Sequence, residues 1–88
     1  MLKSIEKLLE CGNDLKVGNH SSAHAYSICF YMYHGTIICE ADYERKEFKL
    51  PYKGKYANSN STRRAVNDYK RYFLGKGFTL TEEAVYSR

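Results

Sequence analysis

The sequence predicts an α+β two-layer sandwich: an antiparallel sheet of three to four strands in meander order, with two helices on one face, in the order α-β-β-β-α-β. Three observations carry this. Apolar residues recur at helical spacing near both ends of the chain. Two adjacent stretches rich in β-branched and aromatic residues flank His34-Gly35, a dipeptide suited to a tight hairpin turn. At 88 residues, the chain is long enough for a single small domain, residues 1–88, with a modest core.

Leu2, Ile5, Leu8 and Leu9 form the stripe of a first helix over residues 2–11, with Ser4 as a possible cap and Gly12 after the last periodic residue. Gly12–Ala25, rich in Gly, Asn, Ser and His, reads as a loop holding at most a short strand at Leu15–Val17. Strands are expected at Tyr26–His34 and Thr36–Tyr43. A two-residue turn at His34-Gly35 sets Met32 opposite Ile37, Phe30 opposite Cys39 and Ile28 opposite Ala41. A second turn at Glu44-Arg45 sets Ala41 opposite Phe48, Cys39 opposite Leu50 and Glu40 opposite Lys49. That register brings Asp42 against Glu47, so a longer or bulged turn at Tyr43–Lys46 is the alternative.

The expected core row is therefore Ile28, Phe30, Met32, Ile37, Cys39, Ala41, Phe48 and Leu50, which leaves Tyr31, Tyr33, Ile38, Glu40 and Lys49 on an open face. Pro51 ends the third strand or marks it as an edge. Ser59 or Ser61 caps a second helix, in which Thr62, Ala65, Val66, Tyr69, Tyr72 and Phe73 form one stripe within Thr62–Leu74. Gly75 suits a C-cap, Gly77 the turn beyond it, and Phe78–Thr81 a fourth strand.

Charge is unevenly placed. The chain holds 14 Lys and Arg against 10 Asp and Glu, a net +4. Arg45–Lys76 alone has ten basic residues against Glu47 and Asp68, ten minus two or +8, so the rest carries −4. A basic centre of this kind suits phosphates or an acidic protein patch. Lys53, Lys55 and Tyr56 lead into the second helix, and Arg63, Arg64, Lys70 and Arg71 lie outside its apolar stripe. With Tyr31 and Tyr33 on the open sheet face, these are the candidate partner-binding or nucleic-acid-binding residues.

No apolar run approaches the roughly 18 residues of a membrane span, and Met1–Gly12 lacks the pattern of a signal peptide. Three cysteines with no CxxC spacing fit a reducing compartment, so a cytoplasmic protein with no membrane partner is expected. His20, His24, Cys29, His34 and Cys39 could ligate a soft metal, but no close Cys pair anchors one. No nucleophile and base, paired carboxylates or phosphate-cradling glycine loop can be assembled. The expectation is a non-enzyme with no catalytic residues, metal or cofactor.

Two resemblances add to this reading. The order helix, three-strand meander, helix resembles a double-stranded-RNA-binding domain, and Lys53-Gly54-Lys55 with Ser61-Thr62-Arg63-Arg64-Ala65 is similar in kind to the cluster opening that family's second helix. The family's paired alanines are replaced around Val66-Asn67-Asp68, and Phe78–Thr81 follows where the family usually stops. Tyr33-His34-Gly35-Thr36-Ile37-Ile38 with Ser61-Thr62-Arg63-Arg64-Ala65-Val66-Asn67 also resembles short phage-encoded proteins of unassigned activity. That likeness implies an accessory protein that binds and blocks a host protein or nucleoprotein complex, as anti-CRISPR inhibitors do. The alternative is a module that binds RNA or DNA directly.

Overall fold

The computed structural model describes residues 1–11, 14–52 and 59–83. Its elements run α1 (Lys3–Cys11), β1 (Leu15–Val17), β2 (His20–Ala25), β3 (Ile28–Tyr33), β4 (Thr36–Asp42), β5 (Glu47–Leu50), α2 (Asn60–Gly75) and β6 (Thr79–Glu83). The six strands form one sheet in sequence order, antiparallel except that β6 joins β5 in parallel. The two-layer α+β architecture stands as expected, but the sheet is larger than the three or four strands foreseen. Two strands precede the meander, and the last strand breaks its antiparallel pattern. The order also departs from the three-strand sheet of a double-stranded-RNA-binding domain.

The extra hairpin has a physical origin. Gly18 takes a left-handed φ of +62° in a two-residue turn with Asn19, pairing Val17 with His20 and Leu15 with Ser22. Gly-Asn is a hairpin dipeptide. His20–Ala25, by contrast, has no β-branched or large aliphatic residue, so its strand character comes from pairing with β3 rather than from local preference.

At the next hairpin His34 and Gly35 both have positive φ (+52° and +77°), as a type I′ turn requires, and Tyr33 faces Thr36 as expected. Met32 still faces Ile37. A bulge then places Ile38 in β4 as an extra residue, so that Tyr31 meets Cys39, Phe30 meets Glu40, Cys29 meets Ala41 and Ile28 meets Asp42. One inserted residue exchanges the faces of most of β3 relative to β4. The β4–β5 register is the expected one, Ala41 against Phe48 and Glu40 against Lys49. Asp42 and Glu47 are indeed opposite one another. The Asp42 carboxylate turns to its own loop, accepting from the backbone N–H of Glu44 and Arg45 at 3.0 and 3.1 Å and from Ser27 Oγ at 3.2 Å.

The core therefore differs from the expected row. Cys39, Ala41, Phe48 and Leu50 are buried as foreseen, but their partners on β3 are Tyr31 and, partly buried, Cys29 and Tyr33. Ile38 is also fully buried. Ile28, Phe30, Met32 and Ile37 go to the face without helices. Ile5 and Leu8 of α1 and Ala65, Val66, Tyr69 and Phe73 of α2 close the core from one side. Each of the larger apolar side chains among them contributes about 1.5–3 kcal/mol by leaving water.

Ser59 caps α2 as one of the two expected residues, its Oγ accepting from Thr62 N–H. At the far end Lys76 rather than Gly75 takes the C-cap, while Gly77 marks the turn as expected. Gly75 is the last helical residue, and Gly77 (φ +84°) forms the left-handed turn. Gly77 N–H donates to Leu74 O, Phe78 N–H donates to Phe73 O, and the two phenylalanine rings lie 5.0 Å apart, completing a Schellman motif. For α1, Ser4 lies inside the helix rather than capping it. The N–H of Glu6 donates to Leu2 O, so Leu2 takes the capping position.

Candidate functional site

The amphipathicity of α2 sets up the surface. Its buried stripe faces the sheet, so Asn60, Arg64, Asn67 and Arg71, spaced i, i+4, i+7 and i+11, must run along the solvent side, with Arg63 beside them. All five are exposed. Together with Met1 and one edge of Asp68 they line a polar hollow where the start of α1 abuts α2.

The one acid of α2 does not neutralise these arginines by contact. Asp68 is turned inward and only 6% exposed, and its Oδ2 accepts the Leu2 N–H at 2.9 Å. Among the described residues the ion pairs are His24–Asp14 and Lys70–Glu83, each 2.7 Å, neither involving an arginine. The first turn of α2 carries no acid. Arginines within five residues of a helix start add to the positive end of its dipole, an arrangement that costs stability, typically about 0.3–1 kcal/mol per charge.

The expected binding residues are thus divided. Arg63, Arg64 and Arg71 share one exposed face. Lys70 lies on its flank, half-buried, with Nζ on Glu83 Oε2. Lys53, Lys55 and Tyr56 lie outside the described residues. Tyr31 is not on an open face: the bulge in β4 places it in the core, 1% exposed, its ring 4.8 Å from Tyr69 and 5.9 Å from Phe73. Its hydroxyl meets that of Tyr43 at 2.9 Å. Tyr33 is half-buried against the same core, its ring 4.6 Å from His20 and 4.3 Å from His34. Asn60 and Asn67 were not foreseen as site residues. Their spacing with Arg64 and Arg71 was the available signal.

Of the groups weighed for chemistry, the Cys39 thiol is held away from its reactive thiolate form. Burial pushes the Cys39 thiol well above the ordinary thiol range, with Glu40 and Cys29 adding to it. Burial lowers the pKa of His20, with His34 adding to the effect and Asp68 opposing it. His20 and His24 lie on β2 rather than in a loop, and His24 Nδ1 sits 2.7 Å from Asp14 Oδ1. No three His, Cys, Asp or Glu side chains among the described residues are grouped to hold a metal ion. Within the same residues no helix is long and apolar enough to cross a membrane. No protein-family model, curated protein or solved structure matches the chain.

Proposed function

We propose that the protein is a non-enzymatic, phage-type accessory protein that binds a host protein or nucleoprotein complex and occludes a working surface, as an anti-CRISPR-type inhibitor does in the host cytoplasm. The observation that carries this reading is the arginine face of α2: Arg63, Arg64 and Arg71 exposed, no acid in the first turn, and Asp68 withdrawn beneath them. Guanidinium groups on a rigid helix offer forked donors to carboxylates or phosphates with little further loss of freedom. The surface of the target is therefore polyanionic, an acidic protein patch or the exposed nucleic acid of a nucleoprotein. The test is recovery of a stable protein partner from host lysate on the immobilised chain, with release by the Arg63→Glu/Arg64→Glu variant. Unchanged recovery by that variant discards this face as the interface.

A second reading, direct binding of RNA or DNA, is favoured by the alternation of Asn60, Arg64, Asn67 and Arg71, since both residue types hydrogen-bond phosphates and base edges. Fluorescence anisotropy on generic duplex and single-stranded nucleic acids across a salt series separates the two. A direct binder loses affinity steeply with salt. Absence of binding at low salt eliminates it.

A further inference from the structure

The β2–β3 register sets His24 directly opposite Cys29. Opposed residues of an antiparallel pair leave the sheet on the same face, with Cβ atoms about 4.5–5.5 Å apart. Here that face is the helix side, where Cys29 is a free thiol packed, partly buried, against the core. Asp14, in the connection before β1, fixes the imidazole: its Oδ1 accepts the His24 backbone N–H at 3.0 Å and lies 2.7 Å from Nδ1. With the Nδ1 proton directed to Asp14, Nε2 is the ring nitrogen left to take one up.

His24 and Cys29 both line a hollow of about 330 Å³, walled by Leu9 of α1 and by Tyr26, Tyr31 and Tyr43. Ligand cavities begin near this size. Tyr26 stands wholly exposed at the hairpin turn with a φ of +56°, a conformation that bulky side chains rarely adopt. Strain of this kind gathers at ligand sites. Deeper in, the hydroxyls of Tyr31 and Tyr43 lie 2.9 Å apart, and whichever donates, one proton of the pair remains for a ligand oxygen. Burial, then the Tyr43 bond and the nearby Cys29, keep Tyr31 protonated.

We propose that Cys29 is an acyl-accepting nucleophile that takes an apolar acyl group from a thioester, with His24 as its general base, Asp14 positioning that base and the hollow receiving the acyl chain. Sγ bonds to the thioester carbonyl carbon as its proton passes to His24 Nε2, and the carbonyl oxygen accepts from the remaining tyrosine hydroxyl proton. The old C–S bond then breaks, and the departing thiolate takes the proton from His24. One thioester is exchanged for another, so no oxidant or further reactant is needed. Three features select an acyl group over other partners of a thiol. A base oriented by a carboxylate supplies the proton transfer that each half of the exchange requires. The aromatic and aliphatic walls suit a hydrocarbon chain. Among the described residues the other thiol, Cys39, is fully buried, so none stands ready to resolve a disulfide. Strand register sets the pair, and thiol–imidazole contacts of this kind tighten when substrate enters. The product is a modified chain rather than a turned-over substrate, which is compatible with a binding role. The hollow shares no residue with the arginine face of α2 and does not depend on it.

The test is incubation of the full chain with the octanoyl thioester of N-acetylcysteamine, followed by intact mass spectrometry and peptide mapping. One octanoyl group should appear on Cys29, faster than on the same chain unfolded in urea, and Cys29→Ser should abolish it. His24→Ala should slow acylation about hundredfold, and added imidazole should restore part of the rate. Asp14→Asn should slow the parent chain yet change nothing further in His24→Ala, because Asp14 acts through that ring. Tyr26→Gly, which suits the positive φ, should narrow the advantage of octanoyl over acetyl. Arg63→Glu/Arg64→Glu should leave the rate unchanged, which separates this site from the one on α2. His24 and Asp14 are exposed, so their variants keep the test open should Cys29→Ser fail to fold. Acylation of another residue, a rate no greater than in urea, or a His24→Ala rate equal to the parent's overturns the proposal. So does faster reaction with oxidised glutathione, which assigns the thiol to disulfide exchange.

Discussion

The Asp68 carboxylate, near the middle of α2, accepts the backbone N–H of Leu2, 66 positions earlier in the chain, at 2.9 Å. One side chain thereby closes the first turn of α1, ties the two helices together and removes the acid of α2 from the arginine surface. Asp68→Ala should lower stability by about 1–3 kcal/mol, since it leaves a donor at a helix start unsatisfied. Urea unfolding measures the loss. Hydrogen exchange should quicken first at the start of α1, and Asp68→Asn, which keeps an acceptor, should recover part of the stability.

Two buried tyrosines should answer oppositely to loss of their hydroxyls. Tyr31 bonds to Tyr43, whereas the Tyr69 hydroxyl is buried with no partner among the described residues. Tyr31→Phe should cost about 0.5–1.5 kcal/mol, and Tyr69→Phe should be neutral or stabilising by about 1 kcal/mol. Burial raises both pKa values above the ordinary 10.0, for Tyr31 with the Tyr43 bond adding to it. Stability from these groups is full below pH 10.0 and falls as pH rises beyond it, because the unfolded chain ionises first. The double Phe variant should flatten this alkaline loss, read by circular dichroism.

His20 sets a limit at the acid side. Its pKa is held below 6.5, chiefly by burial, so as pH falls through 6.5 the unfolded chain takes up a proton before the folded one does. Stability supplied by neutral His20 is present above that pH and lost below it. Urea midpoints measured on either side of pH 6.5 should diverge in the parent chain and converge in His20→Gln.

The two glycines after α2 provide a paired test of backbone geometry. Gly77 holds a φ of +84°, where a side chain is strained even though nothing lies within 4 Å of an added Cβ, and Gly77→Ala should cost about 1 kcal/mol. Gly75 is helical with the same open space, and Gly75→Ala should add about 0.5–1 kcal/mol. Thermal unfolding midpoints should therefore move in opposite directions.

Much of the architecture was legible in local sequence. The stripe of α2, its Ser59 cap, the His34-Gly35 turn and the β4–β5 register depend on residues close in the chain, where periodicity and turn chemistry act directly. The strand His20–Ala25 was not legible, because Ser, Ala and His carry no strand preference and the segment is ordered by its neighbour. Nor was the loss of Tyr31 from the candidate site. Either face of β3 is apolar enough to be buried, Ile28, Phe30 and Met32 on one and Cys29, Tyr31 and Tyr33 on the other, so alternation alone does not choose between them.

By itself, then, the sequence determined the α+β class, the second helix and its exposed arginines, and the basic centre of the chain, all set by composition and short-range spacing. Tertiary structure decided which face of β3 is core, through the extra residue Ile38, and with it the apolar open face that the helices leave uncovered. It also decided that Asp68 serves α1 rather than the surface it belongs to in sequence. The reason in both cases is the same. A bulge and a cap between distant segments are selected by how the whole core packs, and local sequence carries no record of that choice.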